Sequence, residues 1–202
     1  MKRIFWIAGA FALLISFSAH SAVVRVSGDN AWQVFHNGEM IAQGDNWQAP
    51  TVTEFQLDNR GYALIAIYVH DAEPGDAGKG GFLADIILDD GEYLSTNADD
   101  PRWKCDSGDV IASRDDGWET AGFDDSEWME LTYYEQFGEG IWGFGADAMR
   151  NHLNDPDCEA YWAWCGPNDG ADDVYFRYVI GELDVKPAGR LAASWGEIKQ
   201  GR

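Results

Sequence analysis

Short runs of β-branched and aromatic residues, separated by glycine, asparagine and aspartate, most constrain the fold of this chain. The longest run, residues 61–70, is almost entirely apolar, which predicts a central strand covered on both faces. Asn37-Gly38 lies between the runs 32–36 and 39–42 and predicts a tight hairpin, because both turn residues tolerate a positive φ. Further strands are predicted at residues 23–26, 51–57, 82–88, 92–96 and 174–183. The pattern predicts an all-β antiparallel sandwich.

Helical signals are few. Residues 124–128 predict a single helical turn, and residues 146–153 predict a short helix before Asp155-Pro156. We therefore expect a β-sandwich with few short helices.

The N-terminus has the layout of a secretory signal peptide. Lys2 and Arg3 precede an apolar run at residues 4–17, and small residues follow. The run is shorter than the roughly 20 residues that span a bilayer. We predict a signal peptide at residues 1–22, with cleavage after Ser21 or Ala22, one domain at residues 23–183 and a C-terminal tail at residues 184–202. The mature protein is expected in the periplasm or outside the cell, with no membrane span.

The charge balance excludes some partners. The chain has 14 basic and 35 acidic residues, and loss of Lys2 and Arg3 leaves a formal charge of −23. Such a surface repels phosphate backbones, so nucleic acids and anionic membranes are poor partners. Acidic loops also favour hard cations such as calcium, although a solvated, highly soluble surface explains the same composition.

Three cysteines follow the predicted signal peptide. An oxidising compartment favours one disulfide with one thiol left over. Cys158 and Cys165 bracket a short loop and are the preferred pair, and a bridge from Cys105 to either is the alternative. Their spacing matches no zinc-site pattern.

Residues 117–128 contain the most specific motif, G-W-x(4)-F-D-D-S-x-W. It resembles a signature of galactose-binding-like jelly-roll domains, which accompany catalytic modules in secreted glycosidases such as rhamnosidase-type enzymes. Six further segments resemble that family in the same order: residues 29–38, 44–47, 63–69, 80–84, 95–104 and 137–143, with residues 174–177 completing the match. The resemblance implies a jelly-roll sandwich in which Trp103, Trp118, Trp128 and Trp142 belong to the scaffold. Residues 146–173 look like an insertion, and no catalytic module accompanies the domain.

Aromatic side chains are the first candidates for sugar binding, because a flat ring offers large contact area to a pyranose at little entropic cost. Tyr161, Trp162 and Trp164 lie between Cys158 and Cys165, and a disulfide closing that loop would reduce the ordering cost of binding. In a strand-like loop Trp162 and Trp164 would face the same side. The alternative is that these rings plug one end of the sandwich.

A second candidate site combines a loop with the end of the central strand. Trp47 follows Asp45 and Asn46, whose oxygens and amide suit vicinal hydroxyls. His70 and Asp71 end the long apolar strand and reach the same region in the galactose-binding-like fold. The alternative is that Trp47 covers the core edge and that His70 is structural.

Calcium is implied by the resemblance, since jelly-roll binding modules commonly hold a structural calcium ion. The ligands we expect are Asp155, Asp157 and Asp172. The alternatives are Asp71 with Asp76, and Asn168-Asp169 with Asp172-Asp173. None of these has the spacing of an EF-hand loop.

Catalytic motifs are absent from the sequence. It has no G-x-S-x-G elbow, no H-E-x-x-H and no phosphate-binding loop. The sequence therefore predicts a secreted, non-catalytic carbohydrate-binding module that recognises a glycan or glycoconjugate through loop aromatics. The alternative is a protein-interaction or structural domain of the cell envelope or of an extracellular assembly.

Overall fold

The computed structural model describes residues 20–72, 79–108, 111, 116–139 and 158–181. Within them the chain forms eleven strands. These are β1 (Ser21–Asp29), β2 (Ala31–His36), β3 (Glu39–Gly44), β4 (Thr51–Gln56), β5 (Ala63–His70), β6 (Gly81–Leu88), β7 (Tyr93–Ser95), β8 (Lys104–Asp106), β9 (Thr132–Gln136), β10 (Tyr161–Trp164) and β11 (Asp173–Ile180). β1 begins two residues before the predicted domain boundary.

The strands form two antiparallel sheets. The first sheet has the order β4-β1-β6-β10-β9, and β7 also pairs with β6. The second sheet has the order β3-β2-β5-β11-β8. The predicted all-β antiparallel sandwich is confirmed, and β5 lies at the centre of its sheet with seven of its eight residues buried.

The predicted hairpin at Asn37-Gly38 is confirmed. β2 pairs with β3, and the turn residues have φ values of 50° and 92°. Glycine reaches a positive φ at no steric cost, and asparagine tolerates it better than most residues. β6 and β7, which follow each other in the chain, also pair as an antiparallel hairpin.

The core between the sheets is built from alternate residues of facing strands. Val24, Ile67, Phe82 and Phe176 belong to one buried cluster with Trp164. Strand alternation places the neighbours of these residues on the outer faces, where two smaller apolar clusters form. Both sheets are therefore covered on parts of their outer faces.

No helix occurs in the part of the chain that the structure describes. Residues 124–128 form a non-helical turn, where the Asp124 carboxylate accepts a hydrogen bond from the Ser126 backbone at 3.1 Å. The helix predicted at residues 146–153 lies outside the described residues. Among the described residues, no helix is long and apolar enough to cross a membrane.

The motif at residues 117–128 forms a loop that lies against the outer face of the second sheet. Arg177, which is 2% exposed, donates through Nη1 to the carbonyls of Trp118 and Thr120. Its Nε donates to the Asp125 carboxylate at 2.8 Å, and the rings of Phe123 and Trp128 lie 5.5 and 5.8 Å from its guanidinium carbon. The motif thus supplies the acceptors and aromatic faces that a buried guanidinium requires.

Asp125 makes this loop sensitive to acid. Burial acts to raise the pKa of Asp125, but hydrogen bonds and charge from Lys104 and Arg177 outweigh it and lower the pKa below its usual range. A carboxylate with a lowered folded-state pKa contributes stability above its unfolded pKa, about 3.9, and loses it as pH falls through the folded pKa. We expect Asp125→Asn to reduce the difference in unfolding free energy between pH 7 and pH 3, measured by urea denaturation. Glu127→Gln, which removes an exposed carboxylate nearby, is the control; an equal effect of both substitutions would contradict the prediction.

The disulfide joins Cys105 to Cys165, and Cys158 is a buried free thiol. The preferred pairing of Cys158 with Cys165 is therefore wrong, and the alternative through Cys105 is correct. The intervening residues 161–164 form β10 rather than a loop. Four extended residues span about 13 Å, whereas bridged cysteines need Cα atoms within about 7 Å. The Cys105 and Cys165 Cα atoms are 5.6 Å apart.

Candidate functional site

Polar side chains align across the outer face of the second sheet. Gln33 in β2 lies opposite Gln43 in β3 and opposite Tyr68 in β5. Tyr68 in turn lies opposite Tyr175 in β11. Directly opposite residues point to the same face of a sheet. Two amides and a phenol therefore form one row across three neighbouring strands.

A second row follows two residues along β5. His70 lies opposite Ala31 in β2 and opposite Asp173 in β11. The His70 Nδ1 is 3.0 Å from the Asp173 Oδ1, and the Tyr68 hydroxyl donates to the same oxygen. An ionised carboxylate only accepts, so His70 donates through Nδ1. Asp173 therefore holds both ring side chains in place.

These two rows form the floor of an open groove of about 660 Å³. The groove is lined by Ala31, Trp32, Gln33, Gln43, Gly44, Asp45, Tyr68 and His70. Gly44 has a packing reason to be glycine, since a Cβ there would lie 2.1 Å from the Trp32 ring. Glycine at this position lets β3 pack closely against Trp32 on one side of the groove.

Part of the same sheet face, next to the groove, is covered. Trp118, from the loop held by Arg177, packs on Tyr175 with ring centroids 5.1 Å apart. Phe35 packs against Trp118 at 5.5 Å. The covering cluster extends to Tyr68, so the groove is the uncovered end of this face.

Two of the predicted ligand residues meet in this groove. Asp45 and His70 both line it, although they are 25 positions apart in the sequence. Asn46 is exposed and accepts a hydrogen bond from the Gln48 backbone at 3.1 Å. Asp71 is only 6% exposed, and its backbone NH bonds to the Asp172 carbonyl. Their roles in binding stay predictions.

Trp47 points to a different surface. Its ring packs edge-on against Trp162 with centroids 6.4 Å apart, in the apolar cluster on the outer face of the first sheet. Its carbonyl accepts a hydrogen bond from the Ser27 hydroxyl at 2.6 Å. The Trp47 side chain therefore packs on the first sheet, whereas Asp45 lines the groove on the second sheet.

The exposure of Trp162 and Trp164 that an aromatic platform requires is not found, and a binding role for Tyr161 stays a prediction. Trp162 and Trp164 are fully buried, and Tyr161 is partly buried. The two Trp rings also enter different clusters: Trp164 packs in the core, whereas Trp162 packs on the outer face. A register shift against β9 between Tyr161 and Ala163 interrupts the alternation assumed for an isolated strand. Burial of both rings favours the structural alternative, although Trp162 packs on an outer face rather than at an end of the sandwich.

Gln33, Gln43 and Tyr68 were not predicted as site residues, and Asp173 was predicted only as an alternative calcium ligand. One signal was available, since Tyr68 and His70 are two positions apart and share a face of a predicted strand. The pairing of β2 with both β3 and β5, which aligns the two glutamines, depends on sheet order.

Among the described residues, no group of three or more His, Cys, Asp or Glu side chains is placed to hold a metal ion. Asp172 is exposed. Asp155 and Asp157 lie outside the described residues. The calcium site stays a prediction.

No protein-family model matches this sequence, and no curated protein matches it. A solved structure with a similar fold is the apo form of a lectin from Pleurotus ostreatus, with a TM-score of 0.50 and 15% sequence identity. The likeness covers 81% of this chain and 63% of the lectin chain, so this chain spans less than two thirds of that protein. At this identity the likeness supports the β-sandwich architecture. Membership of the galactose-binding-like family stays a prediction.

Proposed function

We propose that this protein is an exported, non-catalytic carbohydrate-binding domain that holds a glycan in the groove lined by Gln33, Gln43, Asp45, Tyr68 and His70. The alignment of the two amides with Tyr68 across three strands is the observation that carries the proposal. A similar fold in a protein named as a lectin supports it.

The groove chemistry suits sugar hydroxyls, which both donate and accept. The amides of Gln33 and Gln43 offer donors and acceptors, and Asp45 offers acceptors only. The His70 Nε2 has no hydrogen-bond partner among the described residues, while Nδ1 is bound to Asp173. Since the floor groups lie on paired strands, little side-chain order has to be created on binding.

The same residues are consistent with a site that binds its ligand without catalysing a reaction. Among the lining residues that the structure describes, no serine, cysteine or lysine is present as a nucleophile for His70 to activate. Export agrees with the Cys105–Cys165 disulfide, because disulfides persist in oxidising compartments.

A glycan array of the mature protein, run with calcium and again with chelator, tests the proposal and the calcium prediction together. The strongest hit is then titrated by calorimetry against variants. We expect Gln33→Ala to weaken binding about fivefold to tenfold, the value of one hydrogen bond that is lost without replacement.

Gln56→Ala is the matched control. Gln56 is exposed on β4 in the first sheet, so its truncation is expected to leave affinity unchanged. An equal loss in both variants would refute the groove as the site. A blank array from correctly folded protein would refute carbohydrate binding and favour a protein-interaction domain.

A further inference from the structure

The described part of the groove presents acidic side chains without a lysine or arginine beside them. Asp45 lines it, and Asp173, whose side chain is 53% exposed, is bonded to the groove residues Tyr68 and His70. No lysine or arginine is among the lining residues that the structure describes. Among the described residues, the ionisable groups at the groove are therefore two carboxylates, one imidazole and the Tyr68 phenol.

The cations on the same sheet face are already engaged. Arg177 and Lys104 lie opposite each other in β11 and β8. Both donate to the Asp125 carboxylate, at 2.8 and 2.9 Å, and Arg177 also binds two backbone carbonyls of the covering loop. These charges hold the scaffold and are not directed at a ligand in the groove.

We propose that the groove selects uncharged sugar chains and rejects glycans that carry carboxylate or sulfate groups. This inference rests on the proposed carbohydrate binding and names its ligand class. Neutral hydroxyls can donate to Asp45, whereas an anionic substituent would face that carboxylate with no guanidinium or ammonium group to pair with.

The expected size of the discrimination follows from Coulomb's law. Two like charges about 5 Å apart in a water-filled groove cost about fourfold in affinity, and more where the ligand displaces water. The chain's formal charge of −21 adds a repulsion that slows the approach of anions. Both effects weaken with added salt, because the screening length is about 8 Å at physiological ionic strength.

The test is an array that carries neutral glycans beside their uronate, sialylated and sulfated counterparts, probed at low and high salt. We expect the hits to be neutral, with anionic counterparts weaker by about fivefold or more at low salt and by less at high salt. Asp45→Lys is expected to reduce or reverse this preference for neutral over anionic glycans. Glu54→Lys is the control, because it makes the same change in net charge from an exposed position on β4.

Each result decides the inference. Anionic glycans bound as tightly as their neutral counterparts would overturn the selection while leaving carbohydrate binding intact. If Asp45→Lys and Glu54→Lys changed the ratio of neutral to anionic glycan affinity equally, net charge and not the groove would set the selection. That result would also overturn the inference. No bound glycan of either kind, with folded protein, would refute the proposed function itself.

Discussion

Replacing Cys105 and Cys165 together by alanine is expected to lower the free energy of unfolding by about 4 kcal/mol, the value for a loop of this length in the chain-entropy account. The bridge closes a sequence separation of 60 residues. It also joins β8 in the second sheet to the residue that follows β10 in the first sheet. Its loss therefore releases a restraint between the two layers as well as along the chain.

Urea denaturation with and without reductant measures this effect. Reductant is expected to destabilise the unmodified protein by a similar amount and to leave the double variant unchanged. Cys158→Ala retains the bridge and is the control. Thiol titration should find one free thiol, reactive only after denaturation, because burial, with the nearby Asp85 charge, raises the pKa of Cys158 to about 12. Recovery of a Cys158–Cys165 peptide from the oxidised protein would contradict the assigned pairing.

Arg25→Met is expected to destabilise the protein by roughly 3 to 5 kcal/mol, because it leaves a buried carboxylate without its counterion. Arg25 in β1 lies opposite Asp85 in β6, and Asp85 is fully buried. The Arg25 Nε donates to Asp85 at 2.6 Å, and the Tyr93 hydroxyl donates to the other carboxylate oxygen at 3.0 Å. Burial, followed by the Asp85 charge, raises the pKa of Tyr93, which keeps its hydroxyl a donor.

A double variant separates the cost of the orphaned charge from the worth of the pair. Arg25→Met with Asp85→Leu is expected to recover most of the lost stability, since apolar replacement of a buried pair is often close to neutral. Arg60→Met is the control, because its pair with Asp58 is exposed and is expected to contribute less than about 1 kcal/mol. Equal losses in Arg25→Met and Arg60→Met would show that burial of the first pair is energetically unimportant.

Local patterns predicted several elements of the fold correctly. The apolar run at residues 61–70 predicted β5, and Asn37-Gly38 predicted the turn between β2 and β3. β8, β9 and β10 were missed. β8 is only three residues long, and β10 contains the aromatic residues that were interpreted as a binding loop. Short strands such as β8 depend on a neighbour already in place, so they leave little periodic signal.

The binding site was predicted only in part. Asp45 was selected because its carboxylate beside Trp47 suits sugar hydroxyls, and His70 because the family resemblance placed the end of the central strand in the same region. The exposure of Trp162 and Trp164 was predicted wrongly, because composition shows that a ring is apolar without showing whether a sheet covers it. Gln33 and Gln43 gave no local signal, since a glutamine on the outer face of a strand is usually only solvated.

The sequence by itself determined that this chain forms an antiparallel β-sandwich with a strongly acidic surface, because strand periodicity, turn chemistry and net charge are local or summed properties. Only the tertiary structure decided which strands are neighbours. That order aligns Gln33 with Gln43 and Tyr68, and it brings Cys105 to Cys165. The physical reason is that hydrogen-bonded strands pair residues far apart in the chain, so the composition of a site on a sheet depends on contacts that no local pattern encodes.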